Sequence, residues 1–324
     1  MARTNTLGNF LTDVASAIRE KKGTTDTILA SNFDTEIASI ESGVDINEYL
    51  SDTITKGTSS SGGWLKTIIK LRSPLTVEGN SAEYMFYGCP LNELPQLDTS
   101  NVTNMANMFG NCTNLTTMPQ LDTSNVTNMT NMFRYCTNLT TIPQLDTSNV
   151  TNMNEMFYLC SNLTTIPQID TSKVNSMSYM FGSCTHLTTI PQLDTSSVTN
   201  MAYMFNDCTN LTTIPQLNGE KITILSGAFS NCKLLENFNG IINLGQAYLT
   251  TQSANYSNYK LVLSNSTKLT EQSIINILNN LYDIKTKGCN AQQVILGATN
   301  LAKLTSTEGQ QALSSATEKG WSIS

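Results

Sequence analysis

The chain has 324 residues, carries a net charge of −7, and is only 13% Asp, Glu, Lys and Arg, whereas Thr, Asn and Ser supply 46, 36 and 32 residues. Its surface must therefore be solvated by hydroxyls and amides, and an acidic chain (pI ≈ 4.8) without a basic patch argues against a nucleic-acid binder. One histidine, His186, leaves no material for multi-histidine metal binding or histidine catalysis, and no apolar run approaches the ~18 residues of a membrane span.

Residues 6–40 read as two short helices. Leu7, Phe10, Leu11, Val14 and Ile18 form one apolar stripe that stops at Gly23, and Phe33, Ile37 and Ile40 form a second behind a Ser31 or Asn32 cap. Asp13 and Glu20 interrupt the first stripe, so no signal-peptide core is expected. Two heptads are too few for an independent coiled coil. The string ITKGTSSSGG makes 46–63 a flexible linker. Trp64 to Leu71 opens a hydrophobic cap, and 64–96 ends in a partial repeat, AEYMFYGCPLNELPQ (82–96).

From residue 97 the sequence repeats every 24 residues without gaps. LDTSNVTNMANMFGNCTNLTTMPQ (97–120) returns at 121–144, 145–168, 169–192 and 193–216, and a degraded copy, ILSGAFSNCKLLENF (224–238), follows. In the first copy Val102, Met105, Met108, Phe109 and Cys112 share one face of a short helix or 3₁₀ turn. Asp98-Thr-Ser-Asn signals a turn and N-cap. Leu115, Met118 and Leu121 lie on an extended Thr-rich stretch that Pro119 ends. One such unit buries too little to fold alone, so the units must stack. The expected fold class is an α/β solenoid, a stack of coils over 97–240 with a parallel sheet along one side. An α/β cap over 241–324 closes it, with a helix at Thr270–Leu281, a strand at QQVILG, a helix at Thr305–Lys319 and a WSIS strand.

Several columns carry chemistry on paper. Cys112, Cys136, Cys160, Cys184, Cys208 and Cys232 repeat in phase behind Cys89; they read as buried reduced thiols, with disulfides as the alternative, and match no zinc spacing. Asp98, Asp122, Asp146, Asp170 and Asp194 read as turn caps, with a calcium ladder as the sharper alternative. The Thr pairs 116/117, 140/141, 164/165, 188/189 and 212/213 lie on the sheet, where consecutive residues face opposite ways, so one Thr per coil should face out. That leaves β-propensity as the plain reading and an ice- or sugar-binding ladder as the alternative. His186 reads as a surface substitution in an Asn column. Positions that vary inside a strict repeat mark the solvent side. Among them Tyr135, Tyr158, Tyr179, Tyr203 and Arg134 are the candidate partner-binding residues; neutral drift on an unconstrained face is the plain alternative. No catalytic, cofactor or metal residue stands out, so the chain is read as non-enzymatic.

The signature LDTSNVTNMxxMFxxCTNLTTIPQ resembles the BspA-like bacterial leucine-rich repeat, found in bacterial surface proteins and in proteins of their phages. The resemblance covers about residues 80–240 and implies a leucine-rich-repeat solenoid used as a binding scaffold. The string LTDVASAIREKKGTT…ILASNFDTEIASI is similar to a module at the N-termini of phage tail and baseplate appendages. It implies that 1–45 attaches the chain to other virion tail or baseplate proteins. The C-terminal segment resembles the terminal module of leucine-rich-repeat proteins from phages of Gram-positive bacteria. Together these imply a tail or baseplate appendage that contacts a host surface protein or glycan, with room for a homo-oligomer such as a trimer. A bacterial cell-surface adhesin is the alternative.

Overall fold

The computed structural model describes residues 53–54, 75–77, 79–89, 94, 96–249, 260–287 and 292–324. The two helices expected within 1–45, nearly all of the 46–63 linker, the Trp64–Leu71 cap and Cys289 lie outside these residues. In chain order the strands are β1 (Thr53–Ile54), β2 (Leu75–Val77), β3 (Leu97–Asp98), β4 (Thr213–Ile214), β5 (Leu217–Asn218), β6 (Asn237–Phe238), β7 (Ile241–Ile242), β8 (Leu261–Val262), β9 (Gln292–Ile295) and β10 (Trp321–Ile323). The α-helices are α1 (Glu271–Asn279), α2 (Ala298–Leu301) and α3 (Thr307–Glu318). One correction concerns the linker: β1 lies inside it and pairs in parallel with β2, which pairs with β3.

The repeat units stack as coils, but the short helix expected in each does not form. An α-helix would return every N–H to a carbonyl of its own segment. Here the donors alternate. Met105, Asn107, Phe109 and Asn111 donate to the carbonyls of Asn128, Thr130, Met132 and Arg134 in the next coil. Met108, Gly110 and Cys112 donate to the carbonyl three residues back. The segment is thus a run of turns tied edge-on to its neighbour. The 105–108 and 109–112 turns need a left-handed third residue, as type II turns do. Asn107 (φ 55) and Asn111 (φ 62) supply it, and the columns continue through Asn131 and Tyr135, Glu155 and Leu159, Tyr179 and Ser183, and Tyr203 and Asp207. The apolar spacing that suggested a helix fits these turns equally well.

The parallel sheet is also thinner than expected. In mid-array the extended contacts are single parallel bridges, running Ser81, Asn104, Asn128, Asn152, Ser176, Asn200 and Ile224. Two-residue strands recur only near the ends, as β4 with β6 and β5 with β7. Because the Thr-rich stretch is not a regular strand, both members of the pairs from 116/117 to 188/189 are exposed, against the expectation of one per coil. A column missed in the sequence takes over some of the stapling. Thr99, Thr147, Thr171 and Thr195 are buried, and their hydroxyls donate to the backbone carbonyls of Asp122, Asp170, Asp194 and Asn218 at 2.7–2.8 Å.

Inside, the Val, Met, Met, Phe, Cys and Leu columns form one continuous core. Phe86, Phe109, Phe133, Phe157, Phe181, Phe205 and Phe229 stack ring over ring, with centroids 5.5–5.8 Å apart. That spacing is one coil, so the rings report the pitch of the stack. At its C-terminal end Phe229 meets Phe238 at 5.0 Å.

The last coil is covered by α1. Thr270 caps this helix, and the Ser273 hydroxyl donates to the Glu236 carbonyl while accepting from Phe238 N–H. Ile274, Ile277 and Leu278 are buried beneath it. Ser306 caps α3, and β8, β9 and β10 form a parallel three-stranded sheet. These elements match the sequence expectations for 270–281, QQVILG, 305–319 and WSIS to within two residues; α2 and a 3₁₀ turn at Gln246–Leu249 were not expected.

Candidate functional site

The coil interior is one packed apolar cluster. The Cys89, Cys112, Cys136, Cys160, Cys184, Cys208 and Cys232 thiols are all buried. From Cys112 on, each Sγ–H donates to the Phe carbonyl of the preceding coil, from Cys112 to Phe86 (2.9 Å) through Cys232 to Phe205 (3.2 Å). Burial pushes the Cys112 and Cys232 thiols up to about 12, and those of Cys136, Cys160, Cys184 and Cys208 upward as well. A thiol without accessible thiolate does not alkylate. Iodoacetamide at pH 8 should therefore leave these seven cysteines unmodified in the native protein and modify all of them in guanidinium, as read by peptide mass spectrometry.

The aspartate column serves the backbone. Asp98 Oδ1 accepts from both the amide and the hydroxyl of Ser100, at 3.1 and 2.8 Å, and Asp122 treats Ser124 the same way, at 3.0 and 2.6 Å. Asp146, Asp170 and Asp194 accept from the amides of Ser148, Ser172 and Ser196. The serine hydroxyl and amide hold the Asp98, Asp122 and Asp146 carboxyls below their ordinary 3.8, and for Asp170 the Ser172 amide is the larger cause. A depressed native pKa means that the unfolded chain binds protons first. This stability is complete above the ordinary carboxylate range and is lost as pH falls through the lower native values. The urea midpoint should fall below pH 4, and more shallowly in a triple Asp122→Asn, Asp146→Asn, Asp170→Asn variant; parallel profiles would contradict it. Among the described residues no group of three or more His, Cys, Asp or Glu is arranged to hold a metal ion.

An open groove of about 780 Å³ runs past Gln168, Asp170, Gln192, Asp194, Gln216 and Asn218. The side-chain donors of Gln168 and Gln192 are spent on backbone carbonyls, one of each reaching the next coil. Gln168 Nε2 donates to the carbonyls of Ile169 and Gln192, and Gln192 Nε2 to those of Leu193 and Gln216. His186 is exposed, and its Nδ1 lies 2.7 Å from the Ser161 carbonyl.

The turn segments present a different face. Tyr135, Tyr158, Tyr179 and Tyr203, separated by 21–24 residues in sequence, form a continuous ridge across four coils. Their centroids are 5.9, 5.3 and 4.7 Å apart, the first two contacts edge-on and the last stacked. The Arg134 guanidinium lies 4.6 Å from the Tyr135 centroid and 5.6 Å from that of Tyr158, and its Nε pairs with Glu155 Oε2 at 2.6 Å. All five predicted partner-binding residues are thus brought together. The Tyr179 hydroxyl is pushed up by burial and then by the neighbouring Tyr203 and Tyr158. Tyr203 is 37% exposed at the end of the ridge. Glu155 was legible only as a variable position; its pairing with Arg134 needs the turn geometry. Tyr84 and Tyr87, edge-on at 5.4 Å, begin the same face at the N-terminal end and were not singled out. Their signal was present in MFxxC phase with the later tyrosines.

The family model described as Mycoplasma protein of unknown function, DUF285, matches residues 80–189 and 160–258, together more than half of the chain. The chain belongs to this family. The DUF285 matches take in every Phe and Cys column and the whole tyrosine ridge, and stop before α1. No curated protein matches at a significant level. Among solved structures, a leucine-rich-repeat protein of T. pallidum is 19% identical, with 58% of this chain and 70% of that one covered and a TM-score of 0.28. One from Bacteroides ovatus is 17% identical (60% and 64% covered, TM-score 0.23), and a leucine-rich cell surface protein from Faecalibacterium prausnitzii is 15% identical (60% and 83%, 0.19). These superpositions are loose.

Proposed function

We propose that this DUF285 chain is a non-enzymatic recognition protein whose tyrosine ridge contacts a partner on a cell surface. The observation that carries this reading is the convergence of the variable positions. Apart from the exposed Thr pairs, the strictly repeated positions serve mainly the core, the coil-to-coil staples and the turns. The positions free to differ gather Tyr135, Tyr158, Tyr179, Tyr203 and Arg134 on one face. Rings already packed against each other lose little freedom on binding, which favours them as contact groups.

The finer reading is an appendage of a phage tail or baseplate, attached through residues 1–45 to other virion proteins. It is supported by the likeness of that segment to the N-terminal modules of such appendages. The alternative, a bacterial cell-surface adhesin, is supported by the BspA-like character of the repeat. Immunogold labelling separates them. Label on the tail tips of purified virions supports the appendage; label on the cell envelope with bare virions replaces it by the adhesin. The recognition role itself is tested by adsorption of fluorescently labelled protein to bacterial cells. Alanine at Tyr158 and Tyr203 should abolish adsorption without changing the melting temperature by more than a few degrees. Unchanged adsorption would remove the ridge from the account.

A further inference from the structure

We infer that the ligand of the ridge is a neutral polysaccharide, laid along the coil axis with one sugar unit per coil, and that glycines of the neighbouring coils set the tyrosines for it. This inference rests on the recognition role proposed above.

Three features of the ridge point to this chemistry. The first is how the rings are seated. Tyr87, Tyr158 and Tyr203 each lean over the residue in the same column of the following coil, and in all three cases that residue is glycine. A Cβ on Gly110 would lie 2.8 Å from Tyr87 Cδ2, one on Gly182 would lie 2.9 Å from Tyr158 Cδ2, and one on Gly227 would overlap the Tyr203 ring. The glycines are notches that fix the rings before a ligand arrives. The second is spacing. Ring centroids advance by 4.7–5.9 Å per coil along Tyr135 to Tyr203, comparable with the length of one pyranose unit in a linear glycan. The C–H faces of a pyranose stack on tyrosine, and its hydroxyls find partners beside the ridge. There Asp207 accepts from the side-chain amides of Asn206 and Asn231 at 2.7 Å, and its carboxylate oxygens keep further lone pairs for a hydroxyl donor.

The third feature is charge and apolar content. Arg134 is the ridge's cation, and Glu155 neutralises it at 2.6 Å, so the face offers no free positive charge to a polyanion. A protein partner would want an aliphatic or aromatic core at the contact. Among the described residues the exposed large hydrophobic side chains are Tyr203 and Leu234, so such a core is lacking. An amphipathic, uncharged, hydroxyl-rich polymer fits what remains.

The test is affinity electrophoresis of the full-length protein in native gels containing dextran, mannan, galactan or xylan, with polygalacturonate as the anionic probe. At least one neutral polymer should retard the protein, and polygalacturonate should not. Tyr158→Ala should weaken retardation about tenfold. Gly182→Ala, which leaves every ring in the sequence and sits at an ordinary φ, should weaken it comparably, whereas Thr165→Ala should not. Retardation by none of the four neutral polymers, retardation by polygalacturonate alone, or retardation of the Tyr158 and Gly182 variants as strong as that of the unsubstituted protein would overturn the inference. Cells that adsorb the protein separate this failure from failure of the recognition role. Adsorption lost after periodate supports the glycan. Adsorption that survives periodate, is lost after protease and still requires Tyr158 overturns the glycan and leaves the ridge as a recognition face.

Discussion

Phe157→Ala should destabilise the protein by about 3–5 kcal/mol, the range for removing a fully buried phenyl group. Phe157 has no exposed surface and stacks between Phe133 and Phe181, with centroids at 5.6 Å on both sides and ring planes within 5°. The cavity cannot close by sliding the neighbours together, because the same coils are held apart at backbone pitch. Phe157 N–H donates to the Met180 carbonyl at 2.9 Å, and Phe133 N–H to that of Met156 at 2.9 Å. In a stack where each coil touches only its neighbours, a mid-array defect weakens two interfaces. Chemical denaturation should show the loss as a shift in midpoint. A cost below about 1 kcal/mol would mean that the ring stack is not a packed core.

Asn131→Pro should cost about 3 kcal/mol or more, for two independent reasons. Proline fixes φ near −65°, whereas Asn131 has φ 58. It also removes the N–H that donates to the Asn154 carbonyl at 2.9 Å, one rung of the coil-to-coil ladder. Asn131→Gly keeps the rung and suits the left-handed conformation, so it should be neutral or stabilising. The contrast in sign at one position distinguishes the turn ladder from the helix that the apolar spacing suggested. In a helix the same Asn→Gly change would instead be destabilising, by about 0.3 kcal/mol.

What the sequence could show follows from what the repeat averages. Buried columns such as Val102, Met105, Met108, Phe109 and Cys112 are visible because five in-phase copies keep them apolar, and all are 2% exposed or less. The cap helix at Glu271–Asn279 is visible because Thr270 and the Ile274–Ile277–Leu278 spacing are local signals. The turn ladder was not visible, since it depends on where each N–H points, and the same apolar periodicity serves a helix or a run of turns. Nor was the Thr99–Thr195 column: a buried hydroxyl looks like any surface threonine until the carbonyl it meets, 23 residues away, is located. The double exposure of the Thr pairs was misread because period-two alternation was assumed for a stretch that is not a regular strand. The ridge tyrosines were legible as deviations from the repeat, but Arg134 over two rings and the glycine notches are relations between coils. They appear only once the register is fixed.

The account depends on the 24-residue unit being a complete, interchangeable layer, and excision tests that most directly. Removing residues 145–168 joins Gln144 to Ile169 in phase and should leave a protease-resistant protein with one cooperative unfolding transition, Phe133 now stacking on Phe181. Removing residues 145–156, half a layer, should leave the array open to protease with the transition lost. Equal resistance of the two deletions, or collapse of the in-phase one, would contradict the stacked-coil structure on which the ridge is built.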